Sequence, residues 1–483
     1  MQTKKLLAAV MSLCMVAGTF GYGAPVIAQT VTAQASAAEI GCYSYEPTAG
    51  LLFLRGEIDA DAIRNFGSKS CVKTIIALEG TVFPEDCSEL FYNFKNCTAM
   101  DLSKADTSHV TNMSKMFKEC TSMTTLDISG FDTSSVTDMS YMFLYCTNLL
   151  NLDLSRFDTS QVISMFYMFT HCENLTKLDV SSFNTSSVTN MQCMFEYCKS
   201  LTKLDVSNFD TSNVTNMSSM FDHCSKLSEL DLSAFNTSSV KDMSFMFCFC
   251  TSLNTLDISS FNTGSVTDMS FMFNCCEKLT KLDVSTFITS KVTDMGRMFR
   301  YCKALETLDL GGFDTSNVTD MSEMFENCNE LKTITLGENF NAVTGEAKLP
   351  NKKVWVNVSD PKTVVSGRGE FAVIENSGKN TYKVSDSVNK TPEYPTNISV
   401  EYSAKTHQVR FKWDKVEGAE EYGIAVFMAG KWRIQAQDIT DTVYTSPKGL
   451  IPGRTYKVAI AAKVNGSWDT DSAIRNAVSV TVK

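Results

Sequence analysis

The chain has 483 residues, a length that allows about three domains, and its 43% hydrophobic and 20% charged residues are ordinary for a soluble globular protein. This composition excludes wholesale disorder and a membrane-embedded bundle. Lys and Arg number 43 against 54 Asp and Glu, so the net charge of −11 offers no basic surface for nucleic acid phosphates.

The first 37 residues have the pattern of a cleaved secretory signal peptide. Lys4 and Lys5 precede an apolar run over residues 6–17, and small residues at 35–37 suit a cleavage site. We therefore expect a secreted protein, or one retained at the bacterial cell surface. No later stretch approaches the roughly 20 apolar residues of a membrane span, so no transmembrane segment is expected.

A 26-residue period governs the middle of the chain. A Leu-Asp pair and one Phe recur at this step eight times, and a second Phe and a Cys recur nine times. The cysteines are Cys120, Cys146, Cys172, Cys198, Cys224, Cys250, Cys276, Cys302 and Cys328. Regular self-similarity at this period is the signature of a solenoid, in which each unit buries its apolar face against the next.

Two local patterns within the unit predict its secondary structure. Leu152 and Leu154 alternate with polar residues, which favours a short strand with one buried face. A second apolar set has the i, i+3, i+4, i+7 spacing of one helical face: Met139, Met142, Phe143 and Cys146. Each coil is therefore predicted to be strand, turn and helix.

The unit resembles a known repeat. Residues 204–224 read L-D-V-S-N-F-D-T-S-N-V-T-N-M-S-S-M-F-D-H-C, and this pattern is similar to the 26-residue repeat of BspA-like leucine-rich-repeat surface proteins, also found in mycoplasma lipoproteins. The resemblance covers about half of the chain. It implies an α/β leucine-rich-repeat-like solenoid of strand-turn-helix coils, secreted or displayed by bacteria, in a family associated with adhesion to host matrix proteins or other cells.

The C-terminal segment has a different character. From residue 396 onward the 26-residue step and cysteine are both absent, and seven short alternating runs predict an antiparallel sandwich. Trp413 on an early strand and the loop at 450–456, which leads into Tyr456, resemble a fibronectin type III domain. This resemblance implies an all-β module, which we interpret as a spacer.

These boundaries give five segments. They are a signal peptide at 1–37, an N-terminal cap at 38–95, the solenoid at 96–340, a C-terminal cap and linker at 341–395, and the fibronectin type III-like domain at 396–483. Caps are expected because an open solenoid end would expose an unpaired edge and an apolar cross-section.

Cysteines in a secreted protein first suggest disulfides. The nine that mark the repeat, however, lie in single file beside Met and Phe, which favours a row of buried thiols. Cys248 and Cys275, 27 residues apart, could form a bridge between neighbouring coils. Cys42, Cys71 and Cys87 could supply one disulfide within the N-terminal cap. No paired Cys or nearby His set indicates zinc, and no metal site or cofactor is predicted.

The first candidate partner-binding surface is a column of aspartates on the strands: Asp127, Asp153, Asp179, Asp205, Asp231, Asp257, Asp283 and Asp309. Like charges about 5 Å apart repel one another, so something must offset them. Calcium is one interpretation, because it favours clustered carboxylate oxygens. Hydrogen bonds to the neighbouring Ser column and to turn amides are the other.

The second candidate surface is aromatic. Eight rings at two positions of the predicted helical turn form a strip opposite the core, with His171 and His223 interspersed: Tyr141, Tyr145, Tyr167, Tyr197, Phe245, Phe249, Phe271 and Tyr301. If exposed, such a patch indicates a binding site. Packing between the helices of adjacent coils would instead bury these rings.

Nothing in the sequence indicates catalysis. The chain has four His, and none falls in a nucleophile, metalloprotease or phosphate-binding motif. We therefore expect no enzyme and no catalytic residue, but a protein that binds an extracellular protein or glycan of a host or neighbouring cell through a repeated surface. A passive extracellular scaffold, a glycan-binding accessory protein and weak self-association are the alternatives.

Overall fold

The computed structural model describes residues 38–367, 369–385, 394–464 and 467–483. The predicted signal peptide at 1–37 lies outside the described residues. The chain divides into two compact units, the first ending at Val384 and the second beginning at Ser385. The described helices are too short to span a membrane.

The N-terminal end of the first unit is a six-stranded sheet that leads into the repeat. Its strands and those beside it are β1 (Ala38–Ile40), β2 (Tyr43–Glu46), β3 (Leu51–Leu54), β4 (Thr74–Ala77), β5 (Thr81–Val82), β6 (Ala99–Asp101), β7 (Ala105–Asp106) and β8 (Thr125–Asp127). The order is β1-β2-β3-β4-β6-β8, antiparallel as far as β3 and parallel from there on. Helix α1 (Ala60–Arg64) and a 3-10 helix at Lys69–Cys71 lie between β3 and β4.

Successive coils of the repeat stack in parallel and in register. After β8, the same position of later coils carries further short strands: β9 (Asn151–Leu152), β10 (Lys177–Leu178), β11 (Glu229–Asp231), β12 (Thr255–Asp257) and β13 (Thr307–Leu310). We call this position of the coils the strand line. Leu230 of β11 lies opposite Leu256 of β12, exactly one period later. A second line of parallel bridges joins residues such as Asp138 and Ser164 from coil to coil. The solenoid is therefore a β-solenoid.

The predicted α/β coil with a helix is wrong. Within the described residues, α-helix is confined to α1 and to α2 (Thr470–Arg475), both outside the repeat. The segment expected to be helical is a run of turns: the Phe143 N–H donates to the Met168 carbonyl of the next coil at 2.9 Å, not to the residue four positions back. Leu144 closes a turn onto Tyr141 at 3.1 Å. About half of the backbone N–H groups in this segment therefore bond to the next coil. In an α-helix each would instead bond to the carbonyl four residues back.

The core is continuous along the first unit because every coil places the same residues inside. The rings of Phe117, Phe143 and Phe169 stack with centroids 5.5 and 5.6 Å apart and planes within 6° of parallel. Met139 and Met142 are fully buried beside them. The spacing that predicted a helical face thus correctly identified the inward residues, although the backbone is not helical.

The C-terminal end of the first unit reverses strand direction. Its strands are β14 (Thr333–Leu336), β15 (Ala342–Val343), β16 (Leu349–Pro350), β17 (Val354–Asn357), β18 (Asp360–Val364), β19 (Phe371–Ala372), β20 (Ile374–Glu375) and β21 (Asn380–Ser385), with a 3-10 helix at Gly345–Ala347. The sheet order is β13-β14-β21-β17-β18. The edge strand β18 carries Pro361 and exposed Lys362, which discourage further strand pairing.

The second unit is built of two sheets that share one core. Its strands are β22 (Ser399–Ser403), β23 (Gln408–Lys412), β24 (Ala419–Met428), β25 (Lys431–Ile439), β26 (Val443–Thr445), β27 (Thr455–Val464), β28 (Ser467–Trp468) and β29 (Val478–Thr481). One sheet is β22-β23-β26, and the other is β25-β24-β27-β28 with β29 also paired to β27. Trp413 packs edge-on against Tyr422 in the core, with ring centroids 5.3 Å apart.

Candidate binding surface

The turn segment of each coil presents two outward positions with left-handed backbone conformation. In one coil these are Tyr141 and Tyr145, with φ of 59° and 62°, and the equivalent residues of the other coils have the same sign. Both N–H groups donate to the next coil, to the carbonyls of Phe166 and Thr170 at 2.8 and 3.0 Å. Side chains at these positions are therefore held in register along the solenoid.

The rings at the first position form two separate stacked pairs. Tyr141 and Tyr167 lie with centroids 5.2 Å apart, and Phe245 and Phe271 lie 4.3 Å apart. Phe166 packs edge-on against both tyrosines of the first pair. All four rings of the two pairs are half-buried. The first position thus carries two short aromatic clusters rather than one strip.

The rings at the second position form a continuous stack of five, which we call the aromatic ladder. It consists of Tyr145, His171, Tyr197, His223 and Phe249, with successive centroids 4.4, 4.2, 4.0 and 4.4 Å apart. The planes are within 19° of parallel throughout. The two end rings are the most open, at 40% and 38% exposed. Three central rings are therefore covered on both faces.

Carboxylates fix the orientation of the two histidines. His171 Nδ1 lies 3.2 Å from Glu173, which also pairs with Lys199 at 3.0 Å. His223 Nδ1 lies 2.7 Å from Asp222 Oδ1. Burial, and then the negative charge of Asp222, raise the pKa of the Tyr197 phenol, so this ring stays neutral in the stack.

Tyr301 shares the second position but does not join the aromatic ladder. Cys275 occupies the intervening coil, and the Tyr301 ring instead packs beneath the cations of Arg300 and Lys303, 4.8 and 5.5 Å from its centroid. The structure thus brings seven of the eight predicted aromatic residues into ring contact with another predicted residue or with a ladder histidine. The sequence left open whether these rings are exposed or buried between adjacent coils. The structure shows both in part, because the rings pack between coils and still reach the surface.

The aspartate column lies on the strand line, away from the turn segment, and all eight carboxylates are exposed. Each accepts a hydrogen bond from the backbone N–H two residues later. In one coil, Asp205 Oδ1 accepts from the Ser207 hydroxyl at 2.7 Å and from its N–H at 3.0 Å, and these bonds lower the pKa of Asp205. Local turn bonds thus offset the repulsion. Within the described residues, no group of three or more His, Cys, Asp and Glu side chains could hold a metal ion.

The family described as "Mycoplasma protein of unknown function, DUF285" matches residues 85–203, 172–256 and 253–348, which together span more than half of the chain. The chain belongs to this family.

No curated protein matches the chain. One solved structure that matches is a Fn3-like protein from Clostridium thermocellum, at 26% identity, with a TM-score of 0.15, covering 16% of this chain and 82% of that one.

Each DUF285 coil buries the cysteine that marks the repeat. Cys224 Sγ–H donates to the Phe195 carbonyl at 3.2 Å, and the bond recurs in the other coils. Burial raises the pKa of Cys328, at the end of the row, to about 12. Cys248 and Cys275 are free thiols on either side of Asn274. Asn274 Nδ2 donates to Cys248 Sγ, and Asn274 Oδ1 accepts from the Cys275 thiol. Cys42, Cys71 and Cys87 are also free thiols, so the structure contains neither disulfide that the sequence allowed.

The sequence reasoning missed what lies between the two outward positions of the DUF285 turn. Glu196 and Asp222 occupy that line in neighbouring coils, beside the small residues Cys193 and Ser219 that separate the two aromatic pairs. Burial, and then the charge of Asp222, raise the pKa of Glu196. Aligning the units at 26 residues would have revealed both the gap in the aromatic column at the first position and these two acidic residues.

Proposed function

We propose that this chain is a secreted or surface-displayed bacterial adhesion protein of the BspA-like type. In this proposal the turn face of the solenoid, centred on the aromatic ladder, recognises a protein of a host or neighbouring cell. The second unit then serves as a fibronectin type III-like spacer. The ladder is the observation that supports the proposal.

The backbone conformation is a reason to regard the ladder as functional. Left-handed φ is cheapest for Gly and Asn, and bulky residues seldom adopt it. Tyr145 and Tyr197 nevertheless have φ of 62° and 58°. Every coil has this conformation at both outward positions, so a ring there is strained where Gly or Asn would not be, which supports a role beyond packing.

The stacking favours a protein partner over a glycan. A sugar ring that stacks on an aromatic residue needs a free face, and His171, Tyr197 and His223 have both faces covered by neighbours. These three rings present only their edges, which attract carbonyl and carboxylate oxygens. Tyr is also among the residues that contribute most energy to protein interfaces.

A binding assay tests the proposal. Residues 38–483 are applied to immobilised fibronectin, fibrinogen, mucin and bacterial wall polysaccharide, alongside a variant with Tyr145→Ser and Phe249→Ser. Leu150→Ser with Ile288→Ser is the matched control, because those apolar side chains are at least as exposed on the repeat but lie outside the ladder. We expect saturable binding to a protein surface that the ladder variant weakens at least tenfold and the control retains.

Other outcomes would contradict the proposal in distinguishable ways. Loss of binding only in a variant with Asp179→Ser, Asp205→Ser and Asp231→Ser would move the site to the strand face. Binding to polysaccharide alone would favour a glycan-binding accessory protein. Self-association with no binding to any surface would favour a passive scaffold.

A further inference from the structure

The core of the second unit is closed at one end and open at the other. Around Trp413, the side chains of Tyr422 and Ile460 are 2% exposed, as in an ordinary sandwich. Toward the other end of β24 and β27, Val426 and Tyr456 are only half-buried although both face the core. Apolar side chains that face inward and remain partly wet mark an incompletely filled core.

The open end holds a cavity of about 210 Å³ between the two sheets. Phe411 and Tyr444 line it from one sheet, Val426 and Tyr456 from the other, and Leu450 from the connecting loop. An apolar cavity of about 150 Å³ is large enough to take up benzene. This one therefore has room for a somewhat larger apolar group.

The lining provides little to hold water. Besides the tyrosines, its polar side chains are Gln435 and Ser446. Gln435 Nε2 donates to the Ile434 carbonyl at 3.5 Å, and Ser446 Oγ accepts from the Val409 N–H at 2.9 Å and donates to the Pro447 carbonyl at 3.2 Å. Burial raises the pKa of the Tyr444 phenol, so it carries no charge at neutral pH. Water needs two to four polar partners to settle in a cavity, so an apolar occupant fits better.

Three cationic residues stand next to residues that line the cavity. Lys448 is exposed between the lining residues Pro447 and Leu450. Arg433 lies opposite Val426 in the pairing of β24 with β25, and opposed residues of an antiparallel pair share a face. The Arg454 guanidinium lies 5.4 Å from the Tyr456 ring centroid. Residues 394–483 carry 12 Lys and Arg against 9 Asp and Glu, in contrast to the acidic remainder.

We propose that this cavity binds the hydrocarbon chain of a free medium-chain carboxylate, with the carboxylate held at the basic rim by Lys448 and Arg433. The apolar chain removes the half-buried side chains from water, and the negative head complements the exposed cations. This site is independent of the aromatic ladder, because its residues all belong to the second unit.

Titration calorimetry of the full chain with sodium octanoate, below its micelle threshold, tests the proposal. We expect saturable one-to-one binding. Val426→Phe, which fills the cavity, should weaken it at least tenfold, whereas Ser479→Phe, which adds the same ring at an exposed position of β29, should not. Leu450→Phe provides a second filling variant, so that one misfolded protein does not remove the test.

A charge-reversal variant separates the contribution of the octanoate carboxylate from that of its hydrocarbon chain. Lys448→Glu with Arg433→Glu should weaken octanoate binding by roughly tenfold and leave the affinity for octan-1-ol within about twofold. Absence of saturable octanoate binding would overturn the proposal. Equal octanoate affinity in Val426→Phe and Ser479→Phe would do the same, as would binding confined to vesicles of anionic phospholipid.

Discussion

The imidazole of His223 lies face to face with the phenol of Tyr197, their centroids 4.0 Å apart and their planes 8° from parallel. The two residues are one period apart, so the contact exists only because adjacent coils are in exact register. It is the closest of the four contacts in the aromatic ladder. Its energy can be measured.

We expect a double-mutant cycle between Tyr197→Asn and His223→Asn to give a coupling energy of about 0.5–1.5 kcal/mol, the usual range for aromatic pairs. Asn removes each ring but tolerates the left-handed backbone. Urea unfolding of the wild type, both single variants and the double variant provides the measurement. The same cycle between His223 and Tyr301, which are three coils apart, should show no coupling.

Ser219→Gly should stabilise the protein by about 0.5–1 kcal/mol, because Ser219 has φ of 55° and Gly adopts this conformation without strain. Ser200→Gly is the control, since Ser200 has no positive φ and Gly there should destabilise through chain entropy. Midpoints of urea unfolding compare the two. Equal shifts in both variants would show that the left-handed position carries no strain.

Thiol labelling should distinguish Cys71 from the rest of the chain. Cys71 is the one exposed cysteine among the described residues, whereas burial raises the pKa of the thiols in the buried row, such as Cys172, to about 12. Iodoacetamide at pH 8 should therefore modify one thiol of native residues 38–483 and all 16 in denaturant. Intact mass counts the adducts. Rapid labelling of several coil thiols would contradict the buried row.

Glu323 should contribute stability that is lost in acid. Lys348 at 2.9 Å and Arg297 at 2.7 Å lower the pKa of its carboxyl from 4.5 to about 2. The folded state therefore binds this proton less readily than the unfolded state, and the stabilisation, present above pH 4.5, fades as pH falls toward 2.

Glu323→Gln should accordingly lower the free energy of unfolding by about 1–2 kcal/mol at pH 7, a figure reduced for solvent screening. The difference from wild type should shrink as pH falls from 4.5 toward 2, as followed by urea unfolding at a series of pH values. Glu330→Gln, at an exposed carboxylate, is the control. A Glu323→Gln deficit that stays constant with pH would show that the side chain acts by packing.

The sequence allowed the repeat and its inward residues to be predicted, but not the backbone of the turn segment. Met139, Met142, Phe143 and Cys146 are all buried, as their spacing required. Such spacing states which residues face inward. It does not state whether an N–H bonds within its own coil or to the next, and here the Phe143 N–H bonds to the next coil. That choice distinguishes a β-solenoid from strand-turn-helix coils.

The surfaces were predictable to a similar degree. The period placed Tyr145 and Tyr197 in one column, but it could not show that His171 would fill the space between them with its ring parallel to both. That arrangement depends on the left-handed backbone, which a pattern of residue types does not reveal. The cavity beside Val426 depends on how two sheets meet, and no local sequence pattern encodes it.

The bonds between coils also determine how the first unit responds to force. The N–H groups of residues such as Tyr141 and Phe143 point along the direction in which coils succeed one another. Tension in that direction is carried in full by every junction, because the junctions are in series, and the weakest junction detaches first. Each detached coil releases 26 residues, about 90 Å of extended chain. A pull on this unit is therefore absorbed in successive short extensions, and a released coil can re-form on the one still standing.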